Sequence, residues 1–586
     1  MSEMGVHPFD LQSRAELAIH GLTALVDPAR NGLLYFLADW RAVPPRASHG
    51  LWDCGDGSGR HTDALALARC MVRADSDAGQ RTPAEEQLEG WMLRLIGSDG
   101  LSWLPSEPWA EPWGKEYLLS GTRPEEQYAE VSWAQRGTLM GLITRYQISG
   151  DEQYVERARG LVDGLIKIAV SHVDGRFFPE GYYSSGGWHS CQGRTYAGLE
   201  ETNAAIVAPL VRLYEVAGYE PALDLAESLV RYTLKHTQGY TPDGALVAPL
   251  GGWLQEHFHT RSSFIMGVLK VGLAAQRVEY VSWARQSYAS AKEWGTEFGW
   301  FPEHLGQAHA EVCCTTDMLE IALLLGRYVD RAYYADAERF GRNHLLESQW
   351  LSLEQITQAV RSLPKAETMD PRDDRYATYD DVIGRQVGGF SSRPAFNDKF
   401  HLGGTDLMQC CNASGARGLY DLWHYAVDVE QRGDDGLDAV SVHLRMSVEN
   451  PLLRVVSHEP TSGRLGIRAR RPCSVSVRLP DGVSQAVVVI RHGEQADARS
   501  LAADKGYVTF TLDEPMEADL HYALPERRAI YTIGDAGFTA HLTGCWRGET
   551  MISLDPVGSI QPLYMRAVDI PAVEPSPACD AGIDCI

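Results

Sequence analysis

The sequence predicts a mainly α protein: a closed α/α toroid, or barrel, over residues 1–435, then a C-terminal antiparallel β-sandwich over 436–570 and a flexible tail over 571–586. Three observations carry this prediction. A helical-hairpin unit recurs in the first part, the hydrophobic period switches to two near residue 436, and turn residues punctuate the later runs.

The hairpin unit is clearest in two copies. Tyr146, Gly150 and Ala158 of the first align with Tyr214, Gly218 and Ala226 of the second. A looser third copy runs from Leu323 through Gly326 to Tyr334 and Ala337. In each, the glycine is expected to end one helix in a left-handed cap, so that the next helix packs back antiparallel. Such hairpins either stack into an open solenoid or close into a ring. The uneven spacing and the long Trp/Gly/Pro loops suit a closed ring that carries its site on the loops. Beyond residue 436, Val440 to Met446, Ser474 to Leu479 and Tyr507 to Leu512 alternate with period two. Pro480-Asp481-Gly482 and Arg491-His492-Gly493 separate such runs, as expected of short paired strands. This part shows no catalytic cluster and reads as a packing or accessory domain.

Composition narrows the function classes. The chain has 586 residues, 44% of them hydrophobic, and a formal net charge of −25. No basic face offsets that charge, which argues against nucleic-acid or anionic-membrane partners. No apolar run is long enough to span a bilayer. The first residues, Met1 to Pro8, lack the basic start and apolar stretch of a signal peptide, so the expected location is the cytoplasm. Eleven cysteines would stay reduced there, which favours metal binding or thiolate chemistry over disulfides. A homodimer is allowed for.

Two cysteine clusters stand out: Ala310-Glu311-Val312-Cys313-Cys314 and Met408-Gln409-Cys410-Cys411-Asn412. Neighbouring cysteines rarely bridge to each other, because the geometry is strained. Any one of them is most simply a core residue. A Glu-x-Cys together with a Cys-Cys, however, suits tetrahedral zinc in ligand type and number.

The order of helical hairpins, Glu-x-Cys opening a helix, a further hairpin through Ala335 to Arg339, then Cys-Cys, then strands resembles the β-L-arabinofuranosidases of glycoside hydrolase family 127. The resemblance covers most of the chain beyond about residue 130. It implies a barrel of six helical hairpins and a zinc ion held by Glu311, Cys313, Cys410 and Cys411. It makes Cys410 the nucleophile of a retaining glycosidase and points to Glu297 as acid/base, with Glu303 in reserve. The substrate would be an oligosaccharide or glycoside ending in β-L-arabinofuranose or a related sugar. Some family hairpins open with a sugar-contacting histidine; the matching places here are Asn203 and His259. Where the family continues Cys-Cys with Pro-Pro-Asn, this chain has Asn412-Ala413-Ser414, and Cys314 is extra.

Aromatic residues add a weaker pointer. Trp103, Trp109, Trp113, Trp188, Trp253 and Trp300 lie in Gly- or Pro-containing loops. Trp188 and His189, in Gly186 to Ser190, have the character of a loop at a barrel mouth that stacks on a sugar. Two other classes fit a toroid: a polysaccharide lyase or unsaturated-uronyl hydrolase without a thiolate, and a non-catalytic carbohydrate-binding protein with a structural zinc. Stoichiometric zinc separates the first from the reading above.

Overall fold

The structure is a computed structural model that describes residues 8–566, apart from 51, 73–75, 77–78, 105–126, 191–198, 248–256, 366–375, 402–405, 432–436, 493–494 and 536–537. The expected tail and Trp109, Trp113 and Trp253 lie outside the described residues. Helices come first: α1 (Leu11–Thr23), α2 (Ser58–Cys70), α3 (Pro83–Arg94), α4 (Arg136–Ser149), α5 (Glu152–Ile168), α6 (Leu199–Ala204) and α7 (Val207–Ala217). They continue as α8 (Glu220–His236), α9 (Phe258–Ala274), α10 (Val278–Lys292), α11 (Val312–Tyr328), α12 (Tyr334–Phe340), α13 (Leu353–Ser362) and α14 (Gln409–Ala426).

The helices are of two kinds. In α5 and α8 the apolar residues form one stripe: Val155, Ala158, Leu161, Val162 and Leu165 are buried while Glu152 and Arg157 face water. In α2, α9 and α11 long stretches are buried on every side, so neighbours must surround them. Among the described residues, α2, α4, α7, α9, α11 and α14 each pack on the next, and α14 returns to α2. An outer helix covers each of them: α3 on α2, α5 on α4, α8 on α7, α10 on α9, α12 on α11 and α1 on α14. The helices therefore close on themselves.

The glycine expectation holds where local chemistry alone decides it. Gly150 and Gly218 end α4 and α7 at φ 65° and 61°, where a side chain would be strained. Gly326 does not end a helix. It lies within α11, where an added Cβ would meet the Tyr334 ring at 3.1 Å, so packing on α12 accounts for it. Gly59 and Gly137 bring α2 and α4 into close approach: a Cβ on Gly59 would sit 2.2 Å from the Gly137 carbonyl carbon.

The C-terminal part departs from a purely antiparallel sheet pair. A four-stranded sheet runs Val427–Glu430, Asp438–Val442, Cys473–Arg478, Tyr507–Leu512. Its first strand leaves α14 directly, before residue 436, and Asp438–Val442 pairs parallel with Cys473–Arg478. Between those two the chain builds strands of a six-stranded sheet, from Val448–Glu449 to Arg464–Ala469, and so returns in the same direction. Period-two alternation tells which face is buried but not which strand is the neighbour. A third sheet, Glu526–Asp535, Phe538–Arg547 and Thr550–Asp555, packs Leu542, Trp546 and Met551 on Phe298 and Trp300 of the helical part.

Buried charges join the two parts. Arg342 pairs with Glu338 at 2.5 Å and with Glu459 at 2.6 Å. Arg445 reaches Glu338 at 3.0 Å and Glu459 at 2.9 Å and also pairs with Glu549, which takes Arg478 at 3.0 Å. Among the described residues, no helix is long and apolar enough to cross a membrane.

Candidate functional site

The cysteines meet because two inner helices begin side by side. Glu311 caps the start of α11 with extended backbone, φ −127° and ψ 133°, and its carbonyl accepts from the amides of Cys314 and Thr315. Its side chain makes no capping bond and is free to turn to the site. Cys313 lies in the first turn of α11, and Cys410 and Cys411 lie in the first turn of α14. Helix N-termini carry partial positive charge, which favours thiolates there.

One ligand atom from each of Glu311, Cys313, Cys410 and Cys411 lies within 4.8 Å of the others. Cys411 Sγ is 3.8 Å from Cys313 Sγ, 4.0 Å from Cys410 Sγ and 3.8 Å from Glu311 Oε1. Tetrahedral zinc with Zn–S bonds of about 2.3 Å sets its sulfurs about 3.8 Å apart. The donor set therefore fits a zinc ion in number, type and spacing. Cys410 is partly open, whereas the other three are buried. Cys314 stands outside the four; its Sγ is 3.7 Å from Glu311 Oε2, and burial, with the Glu311 charge, holds its thiol well above the ordinary range. Hydrogen bonds from Cys313 and then Cys411 bring the Cys410 thiol down to about 5, and the Arg60 charge adds to the effect. Burial, followed by the neighbouring thiols, pushes Cys411 the other way. Cys410 is thus the cysteine most disposed to be a thiolate.

Sequence reading missed the partners around this cluster. Arg60, on α2, donates to Cys313 Sγ at 3.8 Å and to the Ser414 hydroxyl, and pairs with Asp56 at 3.5 Å. His257, just before α9, donates from Nε2 to Glu311 Oε2 at 2.9 Å, as imidazoles behind a metal-ligating carboxylate do. A cavity of about 40 Å³ adjoins the cluster through Arg60 and Ser414 and extends between α2, α4, α7, α9, α11 and α14.

The predicted sugar contacts fare unevenly. His259 Nδ1 donates to Asp317 at 2.6 Å, which leaves Nε2 to accept from Arg136 at 3.2 Å, and its ring stacks on Trp133 at 5.3 Å. It stands behind Arg136, which lines the cavity. Asn203 is corrected: its Oδ1 accepts from the Phe178 amide at 2.7 Å, and its Nδ2 donates to the carbonyls of Phe178 and Leu199. With every polar atom used on backbone, it is a clamp. Trp188 donates to the Ile168 carbonyl at 2.8 Å, and His189 bonds Ser184 at 2.7 Å and stacks on Tyr182. None of these described contacts reaches the cysteines.

Glu297 is also placed elsewhere. Arg527 grips it through two bonds of 2.9 and 2.8 Å and the Tyr531 hydroxyl adds a third at 2.5 Å, all from the Glu526–Asp535 strand. Burial would raise its pKa, but these donors hold it below the usual value. Glu303 is the carboxylate beside the site, grouped with His257 and Glu311. Arg393 holds it by two bonds of 2.6 Å and His309 by one of 2.8 Å. These outweigh burial and keep it well below the usual carboxylate range. Of the two glutamates, then, the structure brings Glu303 and not Glu297 beside the cluster.

No protein-family model and no curated protein sequence matches the chain. Solved structures do. A glycoside hydrolase family 127 β-L-arabinofuranosidase from Geobacillus stearothermophilus T6 superposes with a TM-score of 0.54 at 13% identity, covering 86% of this chain and 77% of that one. A second family 127 β-arabinofuranosidase gives 0.55 at 12%, covering 92% and 78%. A third structure, described as a glycoside hydrolase, gives 0.52 at 11%, covering 90% and 84%. Over most of its length, then, the chain has the fold of the family 127 glycoside hydrolase structures.

Proposed function

We propose that the protein is a glycoside hydrolase that releases a terminal sugar with retention, using Cys410 as nucleophile, with β-L-arabinofuranose or a related sugar as the group released. The observation that carries this reading is the partly open Cys410 thiol, held among three further donors that fit zinc. The closed inner ring of six helices supports reading the helical part as an (α/α)6 barrel, and the likeness of fold to glycosidases supports the reaction class.

The residues that would hold the metal are Glu311, Cys313, Cys410 and Cys411. Bound there, zinc would keep the thiols deprotonated and temper the basicity of the nucleophile. Cys410 attacks the anomeric carbon while the leaving oxygen takes a proton, and water then displaces the thiolate from the thioglycoside. Arg60 and the two helix N-termini favour the returning thiolate. We assign the acid/base role to Glu303, the carboxylate grouped with Glu311 and His257 beside the cluster; Glu303→Gln is expected to lower steady-state turnover of an aryl glycoside by about 10²-fold, as removal of general acid–base catalysis does, whereas Glu297→Gln leaves it near that of the wild type. His257 fixes the Glu311 carboxylate.

Four protein ligands without an open position ordinarily make a structural site, so zinc alone does not establish the reaction. Elemental analysis is expected to give near-equimolar zinc, lost in Cys411→Ser. Incubation with an activated aryl L-arabinofuranoside is expected to add one sugar residue to Cys410, seen by intact mass and peptide mapping. A protein that holds zinc but never gains sugar mass from any aryl furanoside or pyranoside would be a structural zinc protein. A folded, reduced sample without metal would refute the zinc assignment.

A further inference from the structure

A second set of metal-type donors, sharing no residue with the cysteine cluster, meets at the end of an outer helix. His172 and Asp174 stand at the tip of the hairpin formed by Val170–His172 and Gly175–Phe177, and His236 is the last residue of α8. One ligand atom from each of the three lies within 4.8 Å of the others. Asp174 Oδ2 is 3.0 Å from His236 Nε2 and 3.4 Å from His172 Nδ1. Tetrahedral zinc bound by imidazole nitrogen and carboxylate oxygen at about 2.0–2.2 Å sets its donor atoms about 3.4 Å apart. Both pairs are close to that spacing.

The donors are held in place before any ion arrives. Arg231 Nε donates to the Asp174 carbonyl at 3.0 Å, and the Arg176 amide donates to the Ser228 hydroxyl at 2.8 Å, so the hairpin lies pinned along α8. Gly175 permits the close approach: at φ 147°, an added Cβ would meet the Ser228 carbonyl oxygen at 2.4 Å. Phe177 stacks on Tyr232 at 4.4 Å, and the Tyr232 ring lies 4.4 Å from that of His236 and 5.4 Å from that of His172. One aromatic wall thus orients both imidazoles.

Lys235 also pairs with Asp174, but through Oδ1, the other oxygen. That pair alone would make an ordinary surface ion pair. It leaves the contact at Oδ2 unexplained. The Asp174 amide donates to His172 Nδ1 at 3.2 Å, so in the neutral ring Nδ1 is the acceptor nitrogen. Two acceptors, Nδ1 and Oδ2, then face each other at 3.4 Å, and a cation between them resolves the opposition. The carbonyl end of α8 favours positive charge at the same place. We propose that His172, Asp174 and His236 bind a divalent transition-metal ion of the zinc class, Asp174 through Oδ2, and that this ion locks the hairpin to the end of α8. The two imidazoles are 40% and 35% exposed, so the ion enters from solvent and water completes its coordination.

Calorimetry tests this on the full chain, with zinc titrated into protein that already holds its cysteine-site metal. The expected result is one further zinc ion per chain, a higher melting midpoint as it binds, and no competition from magnesium or calcium, which prefer all-oxygen sites. His172→Ala and His236→Ala each should weaken that ion at least about 10-fold, the scale that even outer partners of a metal command. Both residues lie at the surface, so these variants should melt like the wild type before zinc is added. Lys235→Gln removes a competitor for the same carboxylate and should bind zinc at least as tightly. The proposal is overturned if no further ion binds, if both histidine variants bind it as the wild type does, or if Lys235→Gln weakens it. Cys411→Ser, which strips the cysteine cluster, should leave the His172-dependent ion in place; an ion lost with Cys411 and kept in His172→Ala would belong to the cluster and defeat the second site.

Discussion

Cys410→Ala is expected to abolish turnover, by on the order of 10⁴-fold or more, as loss of a covalent nucleophile does. The substitution removes a partly open sulfur from the first turn of α14 and leaves the buried Cys313, Cys411 and Glu311 in place. The protein should stay folded while holding zinc less tightly, and labelling by an activated glycoside disappears altogether. Small external anions such as azide should restore part of the rate on good leaving groups, entering from the face the thiolate vacated and inverting the product. Product configuration by NMR reads this directly. Wild-type rates in a folded Cys410→Ala protein would move the nucleophile elsewhere.

The largest stability effect is expected from Arg445→Met. Arg445 is fully buried and pairs with Glu338, Glu459 and Glu549, carboxylates that come from α12 and from two separate C-terminal segments. Its removal leaves excess negative charge in a dry interior, and breaking such a set from one side costs about 3–5 kcal/mol. Urea unfolding should show that loss as a lower midpoint. Adding Glu549→Gln to Arg445→Met should recover part of it, since the second change removes one stranded charge, and residues in one network are not additive. An additive double variant would mean that the charges do not act together.

Sequence made legible what is local or chemical in nature. Gly150 and Gly218 reveal their helix ends because a left-handed residue after an amphipathic run needs no tertiary context. Glu-x-Cys and Cys-Cys reveal a metal-type set because few other uses fit those side chains. What failed depends on the direction a loop faces. Glu297 sits beside Phe298, which is buried against Tyr531 and Tyr564, and that packing turns the loop toward the third sheet. Asn203 looked like a sugar contact because it sits where a polar residue was wanted, yet the Phe178 backbone consumes it. Arg60 was invisible for a different reason: it meets Cys313 and Ser414 only once α2 packs on α14 and α14 on α11.

The closure of the inner ring has a consequence for how the chain reaches its native state. α2 and α14 are neighbours in space, yet the ribosome delivers them more than three hundred residues apart. Until α14 emerges, α2 keeps an uncovered flank, and the cysteines of α11 lack their counterparts. Long-range partnerships of this kind slow folding and lengthen exposure to aggregation. Chain truncated ahead of residue 409 would stay sticky and open, and metal added to it would find only half of its ligands.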